Sequence, residues 1–359
     1  MVMTQLKFRH FHLEARVALA FGAIYILWGG TFLAIRVAVL QLPPFFASGA
    51  RFLIAGAVLY VFMRLRGDPS PTLREWRTIA VTSLCLFVAT YAALFWAEQF
   101  VPSGVASVLE ATLPLTAMMF EVFLFRQQPF RWRMGAAVLL GFLGIAWLLL
   151  RNQHAFPALP CLVILASGTA WSLGGVLTRS MKRPQSLPLT AGGQMMLGGA
   201  VLLALSKMTG ELHTLPHVTL KAAVALLYLI LAGSLLGFTA YVWLLGRMPV
   251  TRVASHAYVN PIVALILAYF IAGETLTPSM LVASALVIAS VVLILVTPVD
   301  PQRAAPARGI HAERRNIDGC QSMARPHQSG QGRRIHEVPA GNRLSGLRRG
   351  ERQSRLDAS

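Results

Sequence analysis

Charge is scarce in this 359-residue sequence. Only 13% of its residues are Asp, Glu, Lys or Arg, against roughly 25% in an ordinary soluble chain. Hydrophobic residues make up 55%, and the mean hydropathy is +0.60. Such a chain cannot clothe itself in a water-facing surface, which excludes a pair of soluble domains and leaves the bilayer as solvent. Cysteine is scarce as well: Cys85 and Cys161 lie in apolar runs and Cys320 lies near the C-terminus, so neither a disulfide framework nor a redox role is expected. The signatures of soluble enzymes are missing too, with no Gly-Lys phosphate loop, His-Glu-x-x-His, paired Cys-x-x-Cys or Gly-x-Ser-x-Gly. Ser255 and His256 are the only local approach to a membrane nucleophile and base, and adjacent positions on a helix do not face each other. The chain is read as no enzyme, without cofactor or metal site.

The net charge of +18 divides unevenly. Residues 1–299 hold 20 Lys/Arg and 8 Asp/Glu, whereas residues 300–359 hold 12 Arg, no Lys and 6 acidic residues. On a membrane body the position of positive charge matters more than its sum, so no nucleic-acid partner is inferred. Leu, Ile, Val and Phe total only seven in the last sixty residues, below the ~20% that a packed core needs. A disordered, Arg-rich cytoplasmic tail is expected at 300–359, either drawn to anionic membrane lipid or simply solvated.

Ten apolar segments are long enough to cross ~30 Å of hydrocarbon. They run over 17–36, 45–63, 78–97, 103–125, 134–150, 158–178, 188–206, 222–245, 251–271 and 279–297. The first follows Lys7, Arg9 and Arg16, like the basic flank of a signal peptide, but it is long and lacks a small-residue cleavage site. It reads as a retained helix. Continuous runs such as 222–245 are unlike the alternating strands of a barrel, so the expected fold is an all-α polytopic membrane protein with ten transmembrane helices. Fifteen Lys/Arg residues fall on one side of these spans, and Arg151, Lys207 and Lys221 fall on the other. Positive charge is retained in the cytoplasm, which predicts that both termini lie there.

A shift of 143 residues aligns Trp28 with Trp171, Arg51 with Gln194, and Gly56-Ala57-Val58-Leu59 with Gly199-Ala200-Val201-Leu202. Val105-Ala106-Ser107 aligns with Val253-Ala254-Ser255 at 148, and Pro114 with Pro261 at 147. This pattern predicts two five-helix repeats, 16–152 and 153–299, after an N-terminal segment 1–15. Five spans are odd, so the second repeat must enter from the opposite face, giving inverted repeats of the kind that build alternating-access carriers.

Ionisable side chains inside spans cost a few kcal/mol each when they face lipid, and those that remain usually face a bundle interior or a wet cavity. Glu110 is mid-span, with Ser103, Ser107, Pro114 and Ala117 on its face and Glu121 further along it; it is the leading candidate for a proton or cation site. The alternative is a neutral buried carboxyl, or one paired with Arg51 as structural glue. Arg51 can contact substrate or snorkel to the interface. Glu98, on one face with Tyr91, can line an access vestibule. His256, Tyr258 and Asn260 make the ninth span polar at its centre, and His256 is the second proton-coupling candidate. Pro114 and Pro261 each remove a backbone donor, predicting helix breaks at matching positions of the two halves. Trp28 and Trp171, in the first helix of each half, either stack on substrate or fill volume. Gly141, Gly144, Gly233 and Gly237 permit close helix approach, a pattern that discriminates poorly.

These residues resemble a known family. Tyr25-Ile26-Leu27-Trp28-Gly29-Gly30-Thr31-Phe32, Pro43-Pro44 with Ala50-Arg51-Phe52, Ala97-Glu98-Gln99 into Val101-Pro102-Ser103-Gly104, and Ala257-Tyr258-Val259-Asn260-Pro261 before Gly273-Glu274 are similar to the EamA-type branch of the drug/metabolite transporter superfamily. The resemblance covers about 16–297. It implies a bacterial inner-membrane protein that moves small metabolites through a central cavity framed by both halves. The substrate-binding candidates are then Trp28, Arg51, Tyr91, Glu98, Trp171, Gln194, Tyr258 and Asn260; Pro102 and Glu274 also match motif positions. Glu110 and His256 depart from the family pattern. The function expected is export of a small metabolite or drug by alternating access, proton-coupled through those two residues. A non-transporting sensor or assembly protein on the same bundle is the alternative, a channel is a third reading, and a homodimer stays open.

Overall fold

The computed structural model describes residues 2–125, 130, 132–151, 156–214, 218–245, 253 and 256–295. The side chains of 2–14 and of Tyr258, Ser255, and the tail expected to be disordered lie outside that description. The described chain forms helices α1 (Val2–Val39), α2 (Pro44–Leu65), α3 (Leu73–Ala97), α4 (Ser103–Glu110), α5 (Leu113–Met119), α6 (Trp132–Arg151), α7 (Ala158–Ser180), α8 (Leu187–Met208), α9 (Leu220–Leu244), α10 (His256–Ala272) and α11 (Pro278–Leu295). Among the described residues eight stretches are long and apolar enough to cross a membrane: α1 from Ala15, α2, α3, the α4–α5 pair over Ser103–Leu124, α6, α7 to Thr178, α8 and α9. Val259–Ala272 of α10 and Pro278–Ser290 of α11 are apolar but shorter.

Local chemistry sets the helix ends. Pro44 opens α2, where its missing N–H is no loss. Thr72 and Glu75 form a reciprocal capping box at α3: Glu75 Oε2 accepts from the Thr72 N–H at 2.8 Å, and Thr72 Oγ1 accepts from the Glu75 N–H at 3.4 Å. Ser186 and Thr219 cap α8 and α9 in the simpler way, through Leu189 and Ala222. Gly67, at φ +94°, ends the α2 connection in the left-handed region that other residues avoid.

Polarity runs opposite to that of a soluble protein. Phe62, Phe142, Leu150 and Phe270 are exposed, while Arg51, Glu98, Glu110, Gln194, His256 and Asn260 are buried. This is the arrangement of a multi-pass protein solvated by lipid, with its polar groups turned inward. Glycine lets the interior close. A methyl group on Gly56 would lie 2.3 Å from the Met196 nitrogen, and one on Gly199 would lie 2.2 Å from the Leu53 nitrogen. Likewise Gly49 meets Leu203 and Gly192 meets Tyr60, each at 2.8 Å. These α2–α8 pairs exchange with one another under the 143-residue shift.

The two prolines act differently. Pro114 falls in the first turn of α5, after the helix breaks at Ala111–Thr112, whereas Pro261 stays inside α10. The pair of breaks expected from sequence is thus one break and one helix that runs on through its proline. Both prolines still withhold the donor that would serve the carbonyl four residues earlier, that of Glu110 and that of Ala257. Three further irregularities are π turns at Leu84–Ala89 in α3, Phe120–Leu124 after α5 and Leu229–Leu236 in α9.

Candidate functional site

Helices α1, α2, α3, α4, α5, α7 and α10 line a cavity of about 70 Å³. Its polar lining comes from Arg51, Thr31, Thr90, Tyr91, Ser107, Glu110, His256 and Asn260, and its apolar lining includes Trp28, Ile35, Leu94 and Trp171. Helical spacing explains the selection: Trp28, Thr31 and Ile35 follow one face of α1, and Tyr91 and Leu94 follow one face of α3. A cavity of this size holds a few waters, against roughly 300–1,000 Å³ for a ligand-filled cleft.

Arg51 is 1% exposed. Its Nε donates to Ser234 Oγ at 2.8 Å, and its guanidinium carbon lies 4.6 Å from the Phe52 ring centre and 5.3 Å from that of Tyr91. Its Nη1 is buried with no hydrogen-bond partner. Gly233 makes room for it, since a methyl there would come 3.0 Å from Arg51 Nη2. The π turn of α9 serves both neighbours, because Ser234 receives Arg51 while the Gly233 carbonyl accepts from Trp28 Nε1 at 3.0 Å. Such turns are frequent at functional sites, where they re-aim backbone groups.

Glu110 ends α4, and its Oε1 accepts from Ser167 Oγ of α7. Arg51 and Glu110 therefore line the same cavity with separate partners, and the structural pairing weighed from sequence does not form. His256 Nδ1 lies 2.9 Å from the Val253 carbonyl, and its ring stands edge-on to Trp28 at 5.0 Å. Asn260 Oδ1 is buried without a partner. Trp28 and Trp171 meet edge to face at 6.4 Å, with Phe238 filling in behind them.

Of the candidates, Trp28, Arg51, Tyr91, Glu110, Trp171, His256 and Asn260 come together at the cavity. Gln194 does not line it; its Nε2 donates to Thr82 Oγ1 at 2.7 Å and Thr178 Oγ1 at 3.3 Å, tying α8 to α3 and α7. Glu98 lies one turn beyond the cavity residue Leu94, fully buried, with neither carboxylate oxygen hydrogen-bonded and its backbone carbonyl accepting from Arg36 Nη1. The side chain of Tyr258 is outside the described residues. Thr31, Thr90, Ser167 and Ser234 were not singled out from sequence. Ser167 is legible only as the small polar residue one turn before Trp171, and nothing in the sequence signals the π turn that presents Ser234. Among the described residues no three His, Cys, Asp or Glu side chains cluster as metal ligands would.

The likeness to known proteins agrees with this architecture. The model of the EamA-like transporter family matches the chain twice, over 16–150 and 158–296. The uncharacterized inner membrane transporter YedA of Escherichia coli K12 is 33% identical over 278 residues, 77% of this chain and 89% of its own. A "Probable amino-acid metabolite efflux pump" of Salmonella typhimurium is 26% identical, covering 74% and 90%, and a "Probable terminal-alkyne amino-acid exporter" of Streptantibioticus cattleyicolor is 28% identical, covering 75% and 90%. A solved crystal structure with 20% identity superposes at a TM-score of 0.57 over 78% of this chain and 96% of its own, which speaks to the fold alone. A lipid-solvated helical bundle around a buried polar cavity, with a family match repeated in each half, places this chain in the EamA-like transporter family.

Proposed function

We propose that this membrane transporter exports a small zwitterionic metabolite of the amino-acid class by alternating access, driven by protons through Glu110. The observation that carries this reading is the pairing of opposite charges on one cavity: the Arg51 guanidinium, with an unspent donor, suits a carboxylate, and Glu110 suits an ammonium or a proton. Two relatives, one named as a probable amino-acid metabolite efflux pump and the other as a probable terminal-alkyne amino-acid exporter, support the same chemistry. The aromatic wall of Trp28, Trp171 and Tyr91 offers an apolar face to the remainder of the substrate.

Two inverted five-helix repeats, 16–152 and 153–299, with ten crossings and cytoplasmic termini, supply the two-state element that such a cycle needs. Support comes from the doubled family match, from the exchanging glycine contacts of α2 and α8, and from the π turns of α3 and α9, which begin 145 residues apart. The test is uptake into proteoliposomes of a labelled neutral amino acid with and without an imposed pH gradient. Wild-type flux should rise with the gradient, and Glu110→Gln should exchange substrate while ignoring it. A Glu110→Gln protein that still follows the gradient removes Glu110 from coupling, and the absence of saturable uptake by the wild type for any amino acid sinks the substrate assignment.

A further inference from the structure

Helix α4 is held at both ends by carboxylates, and only one of them belongs to the cavity. Beyond α10, Gly273 takes φ +65° and the Glu274 N–H donates back to the Ala268 carbonyl at 3.0 Å. This reversal sets the Glu274 carboxylate on the start of α4. Its Oε1 accepts from the Ser103 N–H at 3.1 Å and from Ser103 Oγ at 2.9 Å, and its Oε2 accepts from the Gly104 N–H at 3.3 Å. A carboxylate at this position complements the positive end of the helix. Gly104 fits α4 against α10, because a methyl there would lie 2.8 Å from Leu265 Cδ2.

At eight residues, α4 is about 12 Å long. Every residue in it is buried, its last is Glu110, and the chain then breaks at Ala111–Thr112. It is therefore a short rod between a contact from the α10 side and the Ser167 contact of the cavity carboxyl, with a natural hinge beside the latter. Two cavity residues, Ile35 at 1% and Leu94 at 5% exposed, are closed off from outside, and Glu98, a turn beyond Leu94, is 0% exposed. A second carboxylate, Glu211, accepts from the N–H groups of Phe45 and Phe46 at the start of α2. But α2 is unbroken and locked to α8 by its glycines, so it offers no comparable hinge.

We propose that Glu274 is a positioning residue for transport: its carboxylate fixes α4, and with it Glu110, and its release opens the cavity roof formed by Ile35 and Leu94. This rests on the carrier reading, since a bundle that never cycles has no use for a releasable roof. The test is the rate at which a water-soluble maleimide labels Leu94→Cys in reconstituted protein whose Cys85, Cys161 and Cys320 are replaced by alanine. Glu274→Ala should raise that rate by about tenfold, the equilibrium weight of one charge-assisted hydrogen bond. Glu274→Gln, which keeps one acceptor oxygen, should raise it less, and it decides the matter if the alanine variant fails to fold. Glu211→Ala, which strips the other helix start, should leave the rate unchanged. Adding Glu110→Gln to Glu274→Ala should produce no further rise. A wild-type rate in both Glu274 variants, or an equal rise in Glu211→Ala, overturns the proposal. Labelling needs no substrate, so its failure is distinct from a failure to transport.

Discussion

Glu98 sits where the third span ends, and its chemistry differs from that of the other outlying carboxylates, Glu211 and Glu274, which both accept backbone hydrogen bonds. Burial pushes the Glu98 carboxyl well above the ordinary glutamate range; the positive charge of Arg36 opposes this, and nearby Glu274 and Glu110 add to it. A carboxyl with a raised folded-state pKa holds its proton more tightly when folded, so it adds stability at acid pH and loses that contribution as pH climbs through the folded value. The wild type should therefore lose thermal stability from mildly acid to alkaline pH, and Glu98→Gln should flatten that slope. Melting midpoints across the range decide it, and parallel slopes would remove Glu98 as the cause. Side chains like this one announce themselves in sequence because a carboxyl stands out in an apolar run, as Glu110 does. Their partners do not. Ser167 reaches Glu110 across 57 residues, and serine is too common in membrane helices to be noticed. Gln194, aligned with Arg51 by the repeat, gives no warning that it binds Thr82 and Thr178 instead of facing the cavity.

The helices themselves were largely legible, since their lengths follow from hydropathy and their ends from proline, glycine and capping residues. What was not legible is their irregularity. Leu84–Ala89 and Leu229–Leu236 are as apolar as their surroundings, so their π turns, one of which presents Ser234 to Arg51, have no compositional signature. Pro114 and Pro261 look equivalent in sequence, yet only the first follows a break, because neighbouring helices decide whether a proline interrupts or is absorbed. Glycine is similar: its spacing says little until the facing backbone is known. Gly56→Ala forces a methyl against the Met196 nitrogen, and Gly174→Ala meets Leu86 at 2.6 Å, whereas Gly175, the next residue, has open space. Overpacking of this kind costs about 1–3 kcal/mol. Gly56→Ala and Gly174→Ala should therefore lower the melting midpoint while Gly175→Ala leaves it near the wild type. Equal midpoints for all three would show that the α2–α8 and α3–α7 contacts are looser than described.

Taken whole, the molecule shows apolar side chains to lipid and turns several polar ones inward, and Arg51, Glu110, His256 and Asn260 among them share one place. Arg51 from the first half's second helix, Glu110 from its broken fourth span and Asn260 from the second half converge on one small cavity, which is the reason to read the bundle as a carrier and not as an inert scaffold. Residues from both stretches matched by the family model line the cavity, but neither a substrate nor the way the cavity opens can be deduced from spacing alone. Counterflow of a labelled neutral amino acid into preloaded proteoliposomes tests the account at its centre. Uptake should saturate in the wild type, and Arg51→Gln should lower kcat/KM by about tenfold or more, as expected for loss of a charge-assisted contact to the substrate carboxylate. Uptake that rises linearly with concentration, or that is indifferent to Arg51→Gln, would contradict it.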